Sequence, residues 1–142
     1  MADQDLFSSI RWRTWHPEAT LFTDGAMSTQ LCAMGLADDM PPEWWNRQQP
    51  DQVLKAHMDF VKGGSEVLCT NTFGANRSRL ARYGLESFVS VLNHQAVSIA
   101  RTAIGNHKRV LVWGSMGPLD ECIDPKDAID IYREQIDALT AA

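Results

Sequence analysis

Leu21-Phe22-Thr23-Asp24-Gly25-Ala26-Met27-Ser28-Thr29-Gln30-Leu31 decides how this chain is read. A short apolar run reaches a carboxylate, crosses a glycine and enters residues suited to a helix, which is how a strand hands over to a helix in a βα unit. Asp24 then lies at the carboxyl end of the strand. In open α/β sheets and βα barrels ligands bind at that end, and the helix start that follows presents unpaired N–H groups and a positive dipole end. A carboxylate beside such a helix start suits a zwitterion such as an amino acid. Taken alone, the segment favours the plainer reading of a tight turn whose aspartate supports the backbone.

The residues that follow repeat the pattern. Leu31, Met34 and Leu36 are the expected buried positions of a short helix ending near Gly35, and residues 38–49, with Pro41-Pro42 and a polar run around Trp44 and Trp45, read as a loop. Pro50-Asp51 suits the first turn of a helix, in which Val53, Leu54, Met58 and Val61 recur at helical spacing before Gly63-Gly64 stops it. Residues 66–70 form the second expected strand, leaving through a polar, glycine-bearing stretch at 71–76. A short basic helix at 78–83, closed by Gly84, precedes a longer one whose buried face is Phe88, Val91, Leu92, Ala96, Ile99 and Ala103, with Gly105 as its stop. Residues 109–113 are the third strand, with its exit at 114–118. Asp124-Pro125 caps a last helix with Ala128, Ile131, Tyr132, Ile136 and Leu139 on its buried face.

Strands separated by helix-length segments call for parallel pairing with right-handed crossovers, so the fold class is α/β built of parallel βα units. Residues 1–20, with Trp12, Trp15 and Pro17, form a lead-in that packs on the body or a partner, and residues 21–142 form the domain.

Composition narrows the function classes. The chain has 142 residues, a net charge of −5 and 44% hydrophobic residues, which suits one globular domain with a real core. An acidic balance speaks against nucleic acid or an anionic membrane as partner, since both call for a basic face. The acidic amino terminus lacks the marks of a secretory signal, and the three cysteines Cys32, Cys69 and Cys122 are odd in number and widely spaced, so a reducing, cytoplasmic setting is expected. Cys32 and Cys69 read as buried small hydrophobes and Cys122 as a loop thiol, without the close pairing of a metal site. His16, His57, His94 and His107 read as structural, and Arg77, Arg79 and Arg82 as a solvated helix face.

Three strand exits carry a resemblance: Asp24-Gly25-Ala26-Met27-Ser28-Thr29, Thr70-Asn71-Thr72-Phe73-Gly74-Ala75-Asn76 and Gly114-Ser115-Met116-Gly117-Pro118. With Pro42-Glu43-Trp44-Trp45-Asn46 and Tyr83-Gly84-Leu85 they make the chain resemble the amino-terminal part of the homocysteine S-methyltransferase family, which includes the homocysteine-binding module of cobalamin-dependent methionine synthase and betaine–homocysteine methyltransferase. The resemblance implies a TIM (βα)8 barrel, truncated here after about three strands, that transfers a methyl group to the homocysteine thiol to form methionine, with zinc holding the sulfur. Zinc favours the thiolate, which is the nucleophile. By the same resemblance Asp24 would receive the substrate amino group. The backbone of Gly25, Ala26 and Met27, then Thr70, Asn71, Thr72 and Phe73, and finally Ser115, would line the substrate site. Ser28 departs from the family's usual glycine. The family's zinc ligands, a single cysteine and then an adjacent pair in a glycine-rich motif, have no counterpart in this chain, so neither a metal ligand nor a catalytic residue is assigned.

A barrel of this type needs about 250 residues. The expectation is therefore a methyltransferase-type domain, inactive by itself, with homocysteine as ligand and the methyl donor undetermined. The alternative is a non-catalytic module that completes its barrel by self-association or with another chain. A doubly wound nucleotide enzyme lacks support, because no phosphate-binding glycine loop is present.

Overall fold

The computed structural model describes residues 20–107, 109–120 and 123–142, and shows an α/β protein whose small sheet is parallel. The expectations for Trp12, Trp15, His16, Pro17 and Cys122 lie outside the described residues. Strand β1 (Val67–Cys69) pairs in parallel with β2 (Leu111–Trp113), Val67 opposite Leu111 and Cys69 opposite Trp113. On the other side of β1, Thr23 makes a parallel bridge to Val67. β1 is thus flanked on both sides, and Val67 and Leu68 are fully buried.

The first expected strand shrinks to that bridge for a chemical reason. Glu66 N–H and Asp24 N–H still make ladder bonds, to Phe22 O at 2.7 Å and from Asp24 to Val67 O at 2.9 Å. The next donor, Cys69 N–H, goes to the Asp24 side chain, Oδ2, at 2.8 Å. The carboxylate takes the place of a backbone acceptor, and the backbone is free to turn at Gly25 into α1 (Met27–Ala33).

The expected loop at 38–49 is largely helical. Pro42–Trp44 forms a 3-10 turn and Trp45–Gln48 forms α2, because a proline at a first helical position has no N–H to lose and its φ is already set. Trp44 stands edge-on to Phe88, ring centres 5.1 Å apart, and Trp45 packs against Leu31, Leu36, Val53 and Ala56. Both tryptophans pack the body.

Helix α3 (Pro50–Lys62) begins on its proline as expected, with Asp51 in the first turn and Lys62 in the last. Its buried face is Val53, Ala56 and His57, whereas Met58 is exposed and Leu54 and Val61 are half-buried. The expected face is rotated because an imidazole was not counted as core. Helix α4 (Arg77–Ala81) starts where the Asn76 side chain caps Arg79 N–H at 3.0 Å. A 3-10 turn (Glu86–Phe88) leads into α5 (Val89–Ile104), which buries Val89, Leu92, Ala96, Val97, Ala100 and Ala103 and packs on α3 and on α6 (Pro125–Thr140). Each fully buried leucine or valine there contributes about 1.5–3 kcal/mol.

Asp124 caps α6 by accepting from Lys126 N–H at 2.8 Å. The buried positions of α6 are Gln135 and Ala138, while Ile136 is exposed and Ala128, Ile131, Tyr132 and Leu139 are half-buried. Gln135 turns inward because its amide donates to Thr72 O at 2.7 Å and to Asn93 Oδ1 at 3.3 Å. Cys32, expected in the core, is exposed on α1, and Cys69 is half-buried.

Candidate functional site at the strand exits

The carboxyl ends of the parallel segments open onto a cavity of about 290 Å³. Asp24, Gly25, Ala26 and Met27 form the wall from the first exit, Thr70, Asn71, Thr72 and Phe73 the wall from β1, and Ser115 the contribution of β2. All nine residues singled out in the sequence are therefore brought to one hollow. Thr23, Ser28, Glu43 and Cys69 line it as well. A larger hollow of about 470 Å³ between α4 and α6 is walled by Arg77, Asp127, Asp130, Ile131 and Glu134, mostly exposed side chains, and takes in none of those nine residues.

The wall is held by a closed set of hydrogen bonds. Ser115 N–H donates to Thr70 Oγ1 at 3.0 Å, and Thr72 O–H donates to Ser115 O at 2.7 Å, since a carbonyl can only accept. The 2.6 Å contact between the two threonine oxygens is then donated by Thr70. One ring ties the exit of β1 to the exit of β2. Behind it, the Asn71 amide donates to Pro42 O at 2.8 Å and Asn46 Oδ1 at 2.9 Å, and Asn46 returns a donor to Asn71 O at 2.8 Å. Gly117 N–H donates to Phe73 O at 2.8 Å, and a Cβ at Gly117 would stand 2.6 Å from that oxygen, so only glycine fits this approach. The hydroxyls of Thr70 and Thr72 and the amide of Asn71 thus shape the wall. Phe73, 51% exposed, is the apolar surface that the wall offers.

Two carboxylates reach the cavity. Asp24 is half-buried, and burial pushes its carboxyl above the ordinary range, opposed by the hydrogen bonds from Cys69 and by its own backbone. Glu43 is almost fully buried, and its Oε1 accepts Gly74 N–H at 2.5 Å. Burial raises its carboxyl too, against backbone hydrogen bonds and the nearby Arg79 charge. Glu43 was quoted in the sequence only as part of a motif. The signal that could have found it is a single acid placed between two prolines and two tryptophans.

The basic cluster on α4 is engaged. Arg77 makes a two-pronged pair with Glu134, and Arg82 pairs with Asp120, which also accepts from Ser78 O–H. Arg79 lies over the Phe73 ring, 5.6 Å from its centre.

The donor set does not fit the zinc that the family resemblance implies. Among the described residues no group of three or more His, Cys, Asp or Glu side chains is gathered as a metal site. Cys69, the thiol on the cavity, is pushed up to about 11 by burial and by the charge and hydrogen bond of Asp24, the opposite of what a thiolate ligand needs. No helix among the described residues is long and apolar enough to cross a membrane.

Comparison with known proteins agrees with this geometry. The family model for homocysteine S-methyltransferase matches residues 21–142. The chain is 36% identical over 126 residues to methionine synthase of Mycobacterium tuberculosis, an alignment spanning 82% of this chain and 10% of that one. It is 31% identical over 108 residues to homocysteine S-methyltransferase of Escherichia coli, covering 69% of this chain and 35% of the relative. Among solved structures, the metallated form of the homocysteine methyltransferase MmuM from Escherichia coli superposes with a TM-score of 0.77 at 24% identity, over 91% of this chain and 53% of that one. The chain spans about a tenth to a half of the relatives it matches. With the match running from the first strand exit through the last helix, this chain belongs to the homocysteine S-methyltransferase family.

Proposed function

We propose that the cavity is the amino-acid subsite of a homocysteine S-methyltransferase domain, and that the described βα units are the opening part of a (βα)8 barrel. The observation that carries this reading is the convergence, on one cavity at the carboxyl ends of parallel strands, of Asp24, the Gly25–Met27 backbone, the β1 exit and Ser115. Such ends are where α/β folds place ligands. Asp24 lines the cavity with its Oδ2 held by Cys69 N–H, which fixes a carboxylate where a substrate ammonium would arrive. Phe73 gives the thioether or thiol chain an apolar surface. The substrate is homocysteine, and the reaction forms a carbon–sulfur bond between its thiol and a donor's methyl group, releasing the thiol proton and the demethylated donor.

Activation of the sulfur needs groups beyond those gathered here, so this chain by itself binds the amino acid without turning it over. Calorimetric titration with L-homocysteine tests the binding. Asp24→Asn keeps an oxygen for Cys69 N–H and removes the charge, and is expected to weaken binding about tenfold, the size of one charge-assisted hydrogen bond. Binding unchanged by that substitution, or no binding by the unsubstituted chain, would overturn the reading. Trp113, 44% exposed at the edge of β2, supports a second reading in which the sheet is continued by a further chain. Light scattering behind size-exclusion chromatography separates the two, since a lone compact monomer that binds homocysteine needs no second chain.

A further inference from the structure

Resting on the amino-acid subsite reading above, we propose that Gln135 is a positioning residue for ligand binding: together with Asn93 it sets, from behind, where the Thr72 and Phe73 part of the cavity wall stands. Gln135 is on α6, 63 residues from Thr72, and its Nε2 donates to Thr72 O at 2.7 Å and to Asn93 Oδ1 at 3.3 Å. Asn93, on α5, donates in turn to Ala75 O at 2.8 Å and to Val89 O at 2.7 Å. Each amide nitrogen carries two donors, and both pairs are used. The two acceptors in front of Gln135 Nε2 also fix which way its amide faces, since the turned amide would set oxygen against oxygen. The segment from Thr72 to Ala75 is thus gripped at both ends by one pair of side chains. Gln135, Asn93 and Thr72 are each 0% exposed, and of the three Thr72 alone lines the cavity.

What the grip holds is wall that meets the ligand. Thr72 O–H closes the ring onto Ser115 O, and Phe73, next in the chain, lines the cavity while its carbonyl accepts Gly117 N–H. Turning the Thr72 peptide would carry that hydroxyl out of the ring and swing Phe73 with it. Stability alone gives no reason for an amide at this place. A leucine at 135 would bury apolar surface without a polar group to satisfy, Thr72 O would still accept Ala75 N–H at 3.0 Å, and the adjacent Ile136 is left 45% exposed. A buried amide with both donors satisfied instead selects one arrangement of the groups it touches. A wall already held in that arrangement needs no ordering when the ligand enters, and the affinity is higher by what the ordering would cost.

The test titrates L-homocysteine into the whole chain by calorimetry. Gln135→Met keeps the length of the side chain and removes its donors. Leu85→Ala is the control, since Leu85 packs against the cluster of Leu80, Val89 and Leu92 and lies outside the cavity wall, so its loss weakens the fold without touching the amide pair. Under conditions where circular dichroism shows all three proteins folded, the dissociation constant should rise about tenfold in Gln135→Met, the size of one buried hydrogen bond, and stay unchanged in Leu85→Ala. Equal affinity in Gln135→Met and the unsubstituted chain overturns the assignment. Equal weakening in both variants overturns it too, and reduces Gln135 to a residue that merely supports the fold. If Gln135→Met does not fold, NMR of the unsubstituted chain decides: the side-chain amide signals of Gln135 should move as homocysteine is added and saturate with the calorimetric dissociation constant, and signals that stay in place overturn the assignment. Failure of the unsubstituted chain to bind homocysteine at all overturns the subsite reading itself, and this assignment with it.

Discussion

Asn46 and His57 sit on consecutive helices and are buried to the same degree, 1% and 0% exposed, yet the protein treats them in opposite ways. Asn46 makes three hydrogen bonds, two with Asn71 and one to Leu92 O at 3.2 Å, and so fixes the β1 exit against α5. Among the described residues, His57 has no hydrogen-bond partner at either ring nitrogen. Buried polar groups at the strand exits are there to hold a wall. In the body of α3 an imidazole is used as a neutral space-filling ring, and burial lowers its pKa to about 4.

Breaking the first member of this pair has the largest expected effect. Asn46→Ala strips hydrogen bonds from Asn71 and Leu92 O, and with each abandoned buried group costing about 1–3 kcal/mol the fold should lose about 3–4 kcal/mol. Urea denaturation measures it. Asn71→Ala in the same background should then add far less than it does alone, since the two side chains share their bonds. Additive losses would show that the network is not one unit.

Substitution at His57 inverts the sign. His57→Leu removes two partnerless polar atoms from the core, and should stabilise the chain by about 1 kcal/mol at neutral pH. Its folded-state value of about 4 lies below the ordinary 6.5, so between those values the unfolded chain binds a proton that the folded chain does not. Stability tied to neutral His57 is complete above pH 6.5 and is lost as the pH falls towards 4, by up to about 3 kcal/mol. The raised carboxyls of Asp24 and Glu43 act in the other direction, their contribution being lost as pH rises through their folded values. The difference between parent and variant across pH 4–7 therefore isolates the histidine. Parallel curves for the two proteins would mean that His57 has a partner in solution.

The same contrast explains what the sequence disclosed. Asp24 carries a local signal, a carboxylate directly after a short apolar run, whereas Thr70–Phe73 and Ser115 were reached as site residues through the resemblance of their motifs to a family, and strand ends in a parallel sheet lie side by side. Gln135 carries no such signal, because its acceptor, Thr72 O, is 63 residues away and the helical period marks Ile131 and Ile136 instead. His57 was hidden by its chemical class. Residues 42–48 were hidden by Pro41-Pro42, read as breakers where Pro42 begins a helical turn. The first strand was overextended because a side chain, Asp24, stands in for the backbone acceptor of Cys69.

The smallest effect is expected where polar contacts are neither buried nor orphaned. Arg77 grips Glu134 through Nε at 2.9 Å and through its terminal nitrogen, joining α4 to α6, and this hydrogen-bonded charge holds the guanidinium above its ordinary pKa. The forked geometry is the strongest form of such a pair. However, the Arg77 side chain is 61% exposed and Glu134 is 31% exposed, so water and salt screen what the fork gains. Arg77→Gln should therefore cost no more than about 0.5–1 kcal/mol in dilute buffer, and the loss should vanish near 1 M salt, where the Debye length is about 3 Å. Asn46→Ala should keep its full cost at both salt concentrations, since neutral hydrogen bonds away from solvent are not screened. If instead the Arg77 variant lost as much as the Asn46 variant and lost it at high salt too, burial would not be what separates strong polar contacts from weak ones in this fold.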